Sequence, residues 1–233
     1  QLVAKAFLNV TKTADIGLNN GGGCRSDIDK GDFTVASAYN MLPFSNTLVT
    51  LVLTGAQIKS VLEEALHFGL DPTGSTGAYP YAAGLRFDVD ASQPEGRRFW
   101  RVEVNPRLNG TWTPIDDARH YTIVTNSFIA AGSDGYWSFA NASSVADTYT
   151  EYSEGLVRYA QSVGTLVEPP LSEFSTQAYT DRDGVVHSSR PAIDVVDGDA
   201  AAIVSAALLV GATALPRVSL LALLVAAGQL LAP

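Results

Sequence analysis

The run Leu48-Val49-Thr50-Leu51-Val52-Leu53, followed without a break by Thr54 to Gly69, constrains the fold of this chain more than any other stretch. Its first part is almost continuously apolar and of strand length, which reads as a strand buried on both faces. Thr54 and Gln57, three residues on, form a capping box. Behind it Ile58, Val61, Leu62, Ala65 and Leu66 make one apolar stripe at helical spacing, and Gly69 stands where such a helix stops. The helix is a core element and not a site.

Around this unit the pattern continues. Leu2, Val3, Ala6 and Phe7 recur at helical spacing, so the opening reads as the end of a helix lying on a sheet, and Ala14 to Asn19 as a short strand. Tyr79 to Val89 is a turn running into an alternating strand, and Phe99–Val104 and Tyr121–Thr125 supply two more. Thr148 and Glu151 match a second capping box, ahead of a last core helix carrying Leu156, Val157, Ala160 and Val163. From Glu168-Pro169-Pro170 to Pro191 the composition turns polar, which predicts an extended, surface-running tail. No internal repeat is visible.

Two glycine-bearing loops interrupt the pattern. Asn20-Gly21-Gly22-Gly23-Cys24-Arg25 follows the first strand, and Phe128 to Tyr136 contains Gly132-Ser133-Asp134-Gly135. Successive glycines let backbone approach a ligand or another strand closely, and an arginine beside them offers a fork of donors for carboxylate or phosphate. A plain turn explains the same glycines. The run is not a P-loop, because no Lys-Ser/Thr pair closes it, and not a dinucleotide fingerprint, because Ser26 stands where the last glycine belongs.

With 233 residues the chain can bury one good-sized core, and one domain is favoured. Its 24 acidic against 15 basic side chains, a net charge of -9, argue against nucleic acid as a partner. A single cysteine, Cys24, excludes an internal disulfide and leaves the redox compartment open. Asn9-Val10-Thr11, Asn109-Gly110-Thr111 and Asn141-Ala142-Ser143 fit the glycosylation acceptor pattern. No signal peptide or initiator Met opens the chain, so it is expected to begin inside a larger protein. Residues 200–233 are apolar except for Arg217 and a few small polar side chains. After the polar linker 186–199, this tail fits a GPI-attachment signal, with Ser188, Ser189 and Gly198 as small candidate attachment residues. A membrane span is the competing reading, against which Arg217 near its middle counts.

Five segments in order, Asn20-Gly-Gly-Gly-Cys-Arg25, Leu42-Pro43-Phe44, Leu53-Thr54-Gly55, Ala83-Gly84-Leu85-Arg86 and Asn126-Ser-Phe128-Ile-Ala-Ala-Gly-Ser-Asp134-Gly135-Tyr136, resemble the C-terminal domain of the 5'-nucleotidase family. That family includes ecto-5'-nucleotidase and the periplasmic UDP-sugar hydrolases. The resemblance implies an α/β fold, a four-layer α/β/β/α sandwich over residues 1–185, that binds the nucleoside part of a nucleotide. Carried over by position, Phe44 and Phe128 are the rings that sandwich the base, Asp134 the carboxylate on the ribose hydroxyls, and Asn20 and Arg25 the polar contacts to sugar and phosphate. Taken singly, each phenylalanine also fits core packing and Asp134 a turn.

The resemblance further implies a partner absent from this chain, an N-terminal metallophosphoesterase domain holding two divalent metal ions, expected to be zinc, where hydrolysis takes place. The implied enzyme is an extracellular 5'-nucleotidase that converts nucleoside monophosphates to nucleoside and phosphate, attached to the membrane through the C-terminal anchor and able to form a homodimer. A UDP-sugar hydrolase, a cyclic-nucleotide phosphodiesterase and a non-catalytic nucleoside-binding surface module are the alternatives. Ser133 departs from the family's usual Gly-Gly-Asp-Gly loop, and Cys24 is assigned no chemistry. His67, His120 and His187 are too scattered in sequence to suggest a metal cluster, so no catalytic residue is expected on this chain.

Overall fold

The computed structural model of the protein describes residues 1–188. The linker beyond that point and the apolar tail lie outside the described residues. The chain runs through helix α1 (Leu2–Val10), strand β1 (Ile16–Asn20), α2 (Val35–Met41), β2 (Thr47–Thr54) and α3 (Gly55–Leu70). It continues through β3 (Pro80–Ala83), β4 (Leu85–Asp90), β5 (Phe99–Val104), β6 (Thr113–Pro114), β7 (His120–Asn126) and α4 (Ser127–Ala130). Strand β8 (Ser144–Glu151), α5 (Tyr152–Val163), β9 (Thr176–Thr180) and β10 (Val186–Ser188) complete it.

The strands form two mixed five-stranded sheets, ordered β3-β1-β7-β2-β8 and β10-β9-β4-β5-β6, so the expected α/β class is the observed one. Gly84 separates β3 in one sheet from β4 in the other; its φ is +79°, and a Cβ there would lie 2.8 Å from the Asp15 carbonyl oxygen. Helices α1, α2 and α5 cover one face of the first sheet through Phe7, Leu42, Tyr152 and Leu156, packed with Leu48, Ala83 and Val124. Its other face, the stripe of α3 and the second sheet share the larger core, in which Ile16, Leu51, Leu53, Ile58, Leu62, Phe87 and Val104 are buried.

The strand-then-helix unit forms as expected at its junction. Thr54 accepts the Gln57 N–H and Gln57 accepts the Thr54 N–H, closing the capping box. Glu63 on α3 is only 7% exposed, and its carboxylate takes the N–H groups of Gly96, Arg98 and Phe99, which fastens the helix to the start of β5. Such acceptance from three backbone donors is how a carboxylate is buried without a prohibitive desolvation penalty.

Several expectations need correction. Strand β2 is not buried evenly on both faces: Val49, Leu51 and Leu53 are buried in the larger core, whereas Thr50 and Val52 between them are half-buried. Gly69 lies inside α3, which ends at Leu70 with Asp71 extended behind it. Thr148 belongs to β8, and its hydroxyl accepts the Thr150 N–H; α5 starts only after Glu151 and carries no side-chain cap. The proline-bearing stretch after Glu168 is not a surface tail throughout. Ser175, Thr176 and Gln177 are buried, and β9 sits between β10 and β4, parallel to β4. Its core-facing polar side chains find local partners, as where Gln177 Nε2 donates to the Leu171 and Phe174 carbonyls, and so polar composition hid a sheet strand. No helix among the described residues is long and apolar enough to cross a membrane.

Candidate functional site

Sheet topology gathers the two glycine loops. Strands β1 and β7 run parallel, with Gly17 opposite Val124, while β2 runs antiparallel to β7, with Leu48 opposite Asn126. The C-terminal ends of β1 and β7 and the start of β2, the three inner strands, therefore emerge at one end of the first sheet. Segments outside the carboxyl ends of parallel strands are where α/β folds leave a crevice for ligands. The glycine run leaves β1 there, Phe44 precedes β2, and Phe128 and Asp134 follow β7.

The three glycines form one 3-10 turn, and none has a positive φ. What they provide is closeness: a Cβ on Gly22 would stand 3.2 Å from the Gly77 Cα, and one on Gly23 would stand 3.1 Å from side-chain atoms of both Asn19 and Asn20. The second loop does need the left-handed region. Gly132, Asp134 and Gly135 have φ of 90°, 55° and 80°, while Ser133 between them does not, so serine fits where a glycine was expected. Tyr136, fully buried, donates its hydroxyl to the Ala78 carbonyl at 2.8 Å and pins the loop from beneath.

Asn20 and Asp134 meet directly: Asn20 Nδ2 donates to Asp134 Oδ2 at 2.8 Å. Behind this pair lie two further buried asparagines to which the sequence reading gave no role. Asn126 Nδ2 donates to Asn19 Oδ1 at 2.8 Å and Asn20 Oδ1 at 3.1 Å, and Asn126 Oδ1 accepts the Ile129 N–H and caps α4. The signal that could have found them is polarity in the wrong place, two adjacent asparagines closing one otherwise apolar strand and a third closing another.

Phe44 and Phe128 are 48% and 43% exposed, so neither ring is a core residue. The backbone N–H of Phe44 donates to the buried Tyr152 hydroxyl at 3.0 Å. Ser127, beside Phe128, accepts the Thr47 N–H and donates to Asn46 Oδ1, stitching together the segments that carry the two rings. No ring-to-ring contact joins Phe44 and Phe128 among the described residues. Arg25 is exposed, its N–H donates to the Met41 carbonyl, and its guanidinium carbon lies 6.0 Å from the Phe44 ring centre. None of the ion pairs found among the described residues involves it, and no hydrogen bond links it to Asp134.

The arrangement can therefore stack a flat ring beside exposed phenylalanines, accept hydroxyl donors at Asp134 and offer Arg25 to an anion. It holds no nucleophile and base in register. Among the described residues no three His, Cys, Asp or Glu side chains converge as metal ligands, so the residues present do not fit a divalent-metal site. His67 and His187 instead lie 3.0 Å from Glu95 and Asp181. Burial pushes the Cys24 thiol up, away from the reactive thiolate. A groove of about 1180 Å3 between Asp27–Val35 and Val157–Pro169 contains none of the five predicted site residues.

A family model described as 5'-nucleotidase, C-terminal domain, matches residues 1–141. The chain is 39% identical over 165 residues to an NAD 5'-nucleotidase of Haemophilus influenzae, covering 68% of this chain and 27% of that protein. It is 40% identical over 152 residues to a probable 5'-nucleotidase of Treponema pallidum, covering 64% and 25% respectively. The crystal structure of a 5'-nucleotidase precursor from Thermus thermophilus superposes with a TM-score of 0.68 at 32% identity, covering 75% of this chain and 34% of that one. The chain thus spans about a quarter of the length of the two sequence relatives.

Proposed function

The chain belongs to the 5'-nucleotidase family, as its C-terminal domain, and on that premise we propose that it binds the nucleoside half of a nucleotide whose phosphate is removed by a metallophosphoesterase domain outside this chain. The observation that carries this reading is the placement of two exposed phenylalanines, Phe44 and Phe128, at the end of the sheet where Asp134 is held by Asn20. Stacking of a base against aromatic rings is worth about 1–3 kcal/mol per base and tolerates different bases. Asp134, an acceptor only, suits the two ribose hydroxyls, and Arg25 suits a phosphate oxygen. Hydrolysis, with its two divalent metal ions, belongs to the other domain, and no catalytic step is assigned to residues of this one.

In the whole protein the substrate is a nucleoside 5'-monophosphate and the products are nucleoside and phosphate. UDP-sugars and cyclic nucleotides also present a base for the two phenylalanines to stack, and stacking tolerates different bases. Both therefore remain in the substrate class, although a cyclic phosphate leaves Asp134 at most one free ribose hydroxyl; the name of the Haemophilus relative adds NAD. The proposed setting is the cell surface, with residues 200–233 as a GPI-attachment signal and a homodimer as the assembly. The test is phosphate release by the protein carrying both domains from AMP, a UDP-sugar, a cyclic nucleotide and NAD, alongside adenosine titration of this chain. Turnover of at least one substrate and weak saturable adenosine binding support the reading. No turnover and no binding refute it.

A further inference from the structure

The three buried asparagines form a chain whose direction is set by one backbone group. An N–H can only donate, so the Ile129 N–H requires the oxygen of the Asn126 amide to face it, at 3.1 Å. The nitrogen of that amide then faces the other way, and both of its neighbours, Asn19 Oδ1 and Asn20 Oδ1, present acceptors. With its oxygen so engaged, Asn20 turns its own nitrogen outward, onto Asp134 Oδ2. The chain ends on a carboxylate, which only accepts. Asn19, Asn20 and Asn126 are 2%, 3% and 1% exposed, so water does not supply alternative partners and the polarity is locked.

We propose that Asn126 is the positioning residue of the ligand site: by fixing the amide orientation of Asn20 it holds the Asp134 carboxylate where a ribose diol meets it. Asn126 itself does not touch the ligand. The proposal rests on the nucleoside reading for its ligand, and on the structure alone for the coupling between positions 126, 20 and 134. Asp134 needs such a hold because it sits in the left-handed region between Gly132 and Gly135. A loop of that kind does not orient a side chain by packing alone.

The discriminating variant is Asn126→Asp. It has nearly the same shape and keeps an oxygen for the Ile129 N–H, so the α4 cap survives. At a pH where the new carboxyl is ionised it removes the donor, whereas at low pH the protonated acid restores one. With the carboxyl ionised, Asn19 Oδ1 and Asn20 Oδ1 both face an acceptor, so nothing inside holds the Asn20 oxygen inward and its nitrogen on Asp134. The 233-residue chain and its N126D form are titrated with adenosine and with 2',3'-dideoxyadenosine, which lacks the diol. A hydrogen bond involving a charged group is worth about 1.5–3 kcal/mol, so adenosine binding is expected to weaken by roughly tenfold or more while dideoxyadenosine binding stays constant. A merely structural role would weaken both alike, and that result, or an unchanged ratio, overturns the proposal.

If the unsubstituted chain binds neither nucleoside, the nucleoside reading fails, and the coupling is judged by NMR. Asp134→Asn tolerates the positive φ and removes the terminal charge. It is expected to shift the side-chain NH2 signals of both Asn20 and Asn126; movement of Asn20 alone overturns the relay. The same spectra decide the question should N126D not fold.

Discussion

At the residue scale, positions that shape the site separate into those that touch a ligand and those that hold the loop. Phe128 is 43% exposed on a four-residue helix whose cap comes from Asn126. Phe128→Ala should therefore weaken adenosine binding by roughly 5- to 150-fold, the equivalent of one stacked base, with the melting temperature of the chain unchanged. Gly135 is the opposite case. A Cβ there would lie 2.5 Å from the Phe68 Cβ and 3.1 Å from the Glu64 carbonyl oxygen, on a backbone with φ of +80°. Gly135→Ala should cost more than about 1 kcal/mol of stability and weaken binding with it, because the loop that carries Asp134 must shift. Calorimetry and titration on both variants separate the roles, and loss of binding without loss of stability in G135A would contradict this assignment.

At the element scale, what could be read from the sequence was what periodicity encodes. The β2–α3 junction declared itself because capping and burial agree: Thr54 and Gln57 exchange hydrogen bonds in the structure as their spacing predicts. Thr54→Ala should cost about 1 kcal/mol, which for a domain of this size corresponds to roughly 2–4 °C in melting temperature. Thr148 and Glu151 match the same four-residue pattern without forming a cap, because the segment between them completes β8 beside β2. Sheet pairing there outweighed local capping, and tertiary pairing is not visible in a window of four residues. The glycine run was legible as a close approach, but its partner, Gly77, lies more than fifty positions away. The asparagine relay was hidden for a related reason, since its members come from two strands that only the fold brings together.

At the scale of the whole molecule, buried tyrosines set an alkaline limit. Burial raises the hydroxyls of Tyr79, Tyr136 and Tyr152, the last to about 12. Folded protein then keeps these protons where the unfolded chain releases them, so the stability they contribute is fully present below about pH 10, the ordinary tyrosine value. It falls above that by about 1.4 kcal/mol per pH unit for each such group, until the folded-state value is reached. Urea midpoints measured at pH 8, 9.5 and 11 should be level between the first two and drop at the third; a level third value would contradict the burial of these hydroxyls.

The second sheet depends on the segment whose composition most resembled a tail. Strand β9 lies between β10 and β4, and the Phe87 N–H donates to the Ser175 carbonyl at 2.7 Å as β9 enters the sheet. The approach to β9 also fastens the start of the chain. Gln1 Nε2 donates to the Glu173 carbonyl, Gln1 Oε1 accepts from the Ser175 N–H and hydroxyl, and Lys5 lies 2.7 Å from the Glu173 carboxylate. The Tyr79 and Thr176 hydroxyls share a hydrogen bond at 2.8 Å, and Arg86 Nη1 donates to the Ser172 carbonyl. Ending the chain after Val167 removes all of these partners and one neighbour of β4, and leaves the edge beside buried Phe87 and Val89 open. Water reaches the donors on the opened edge, so the larger loss is apolar. Uncovering Phe87, Val89 and the core beside them costs about 1.5–3 kcal/mol per side chain, a large share of the roughly 5–15 kcal/mol by which domains are stable. A chain of residues 1–167 should therefore lack a cooperative thermal transition and aggregate, whereas one of residues 1–188 should melt cooperatively. Circular dichroism melts of the two decide it, and a cooperative transition for 1–167 at the temperature of 1–188 would return the segment after Glu168 to the status of a surface tail.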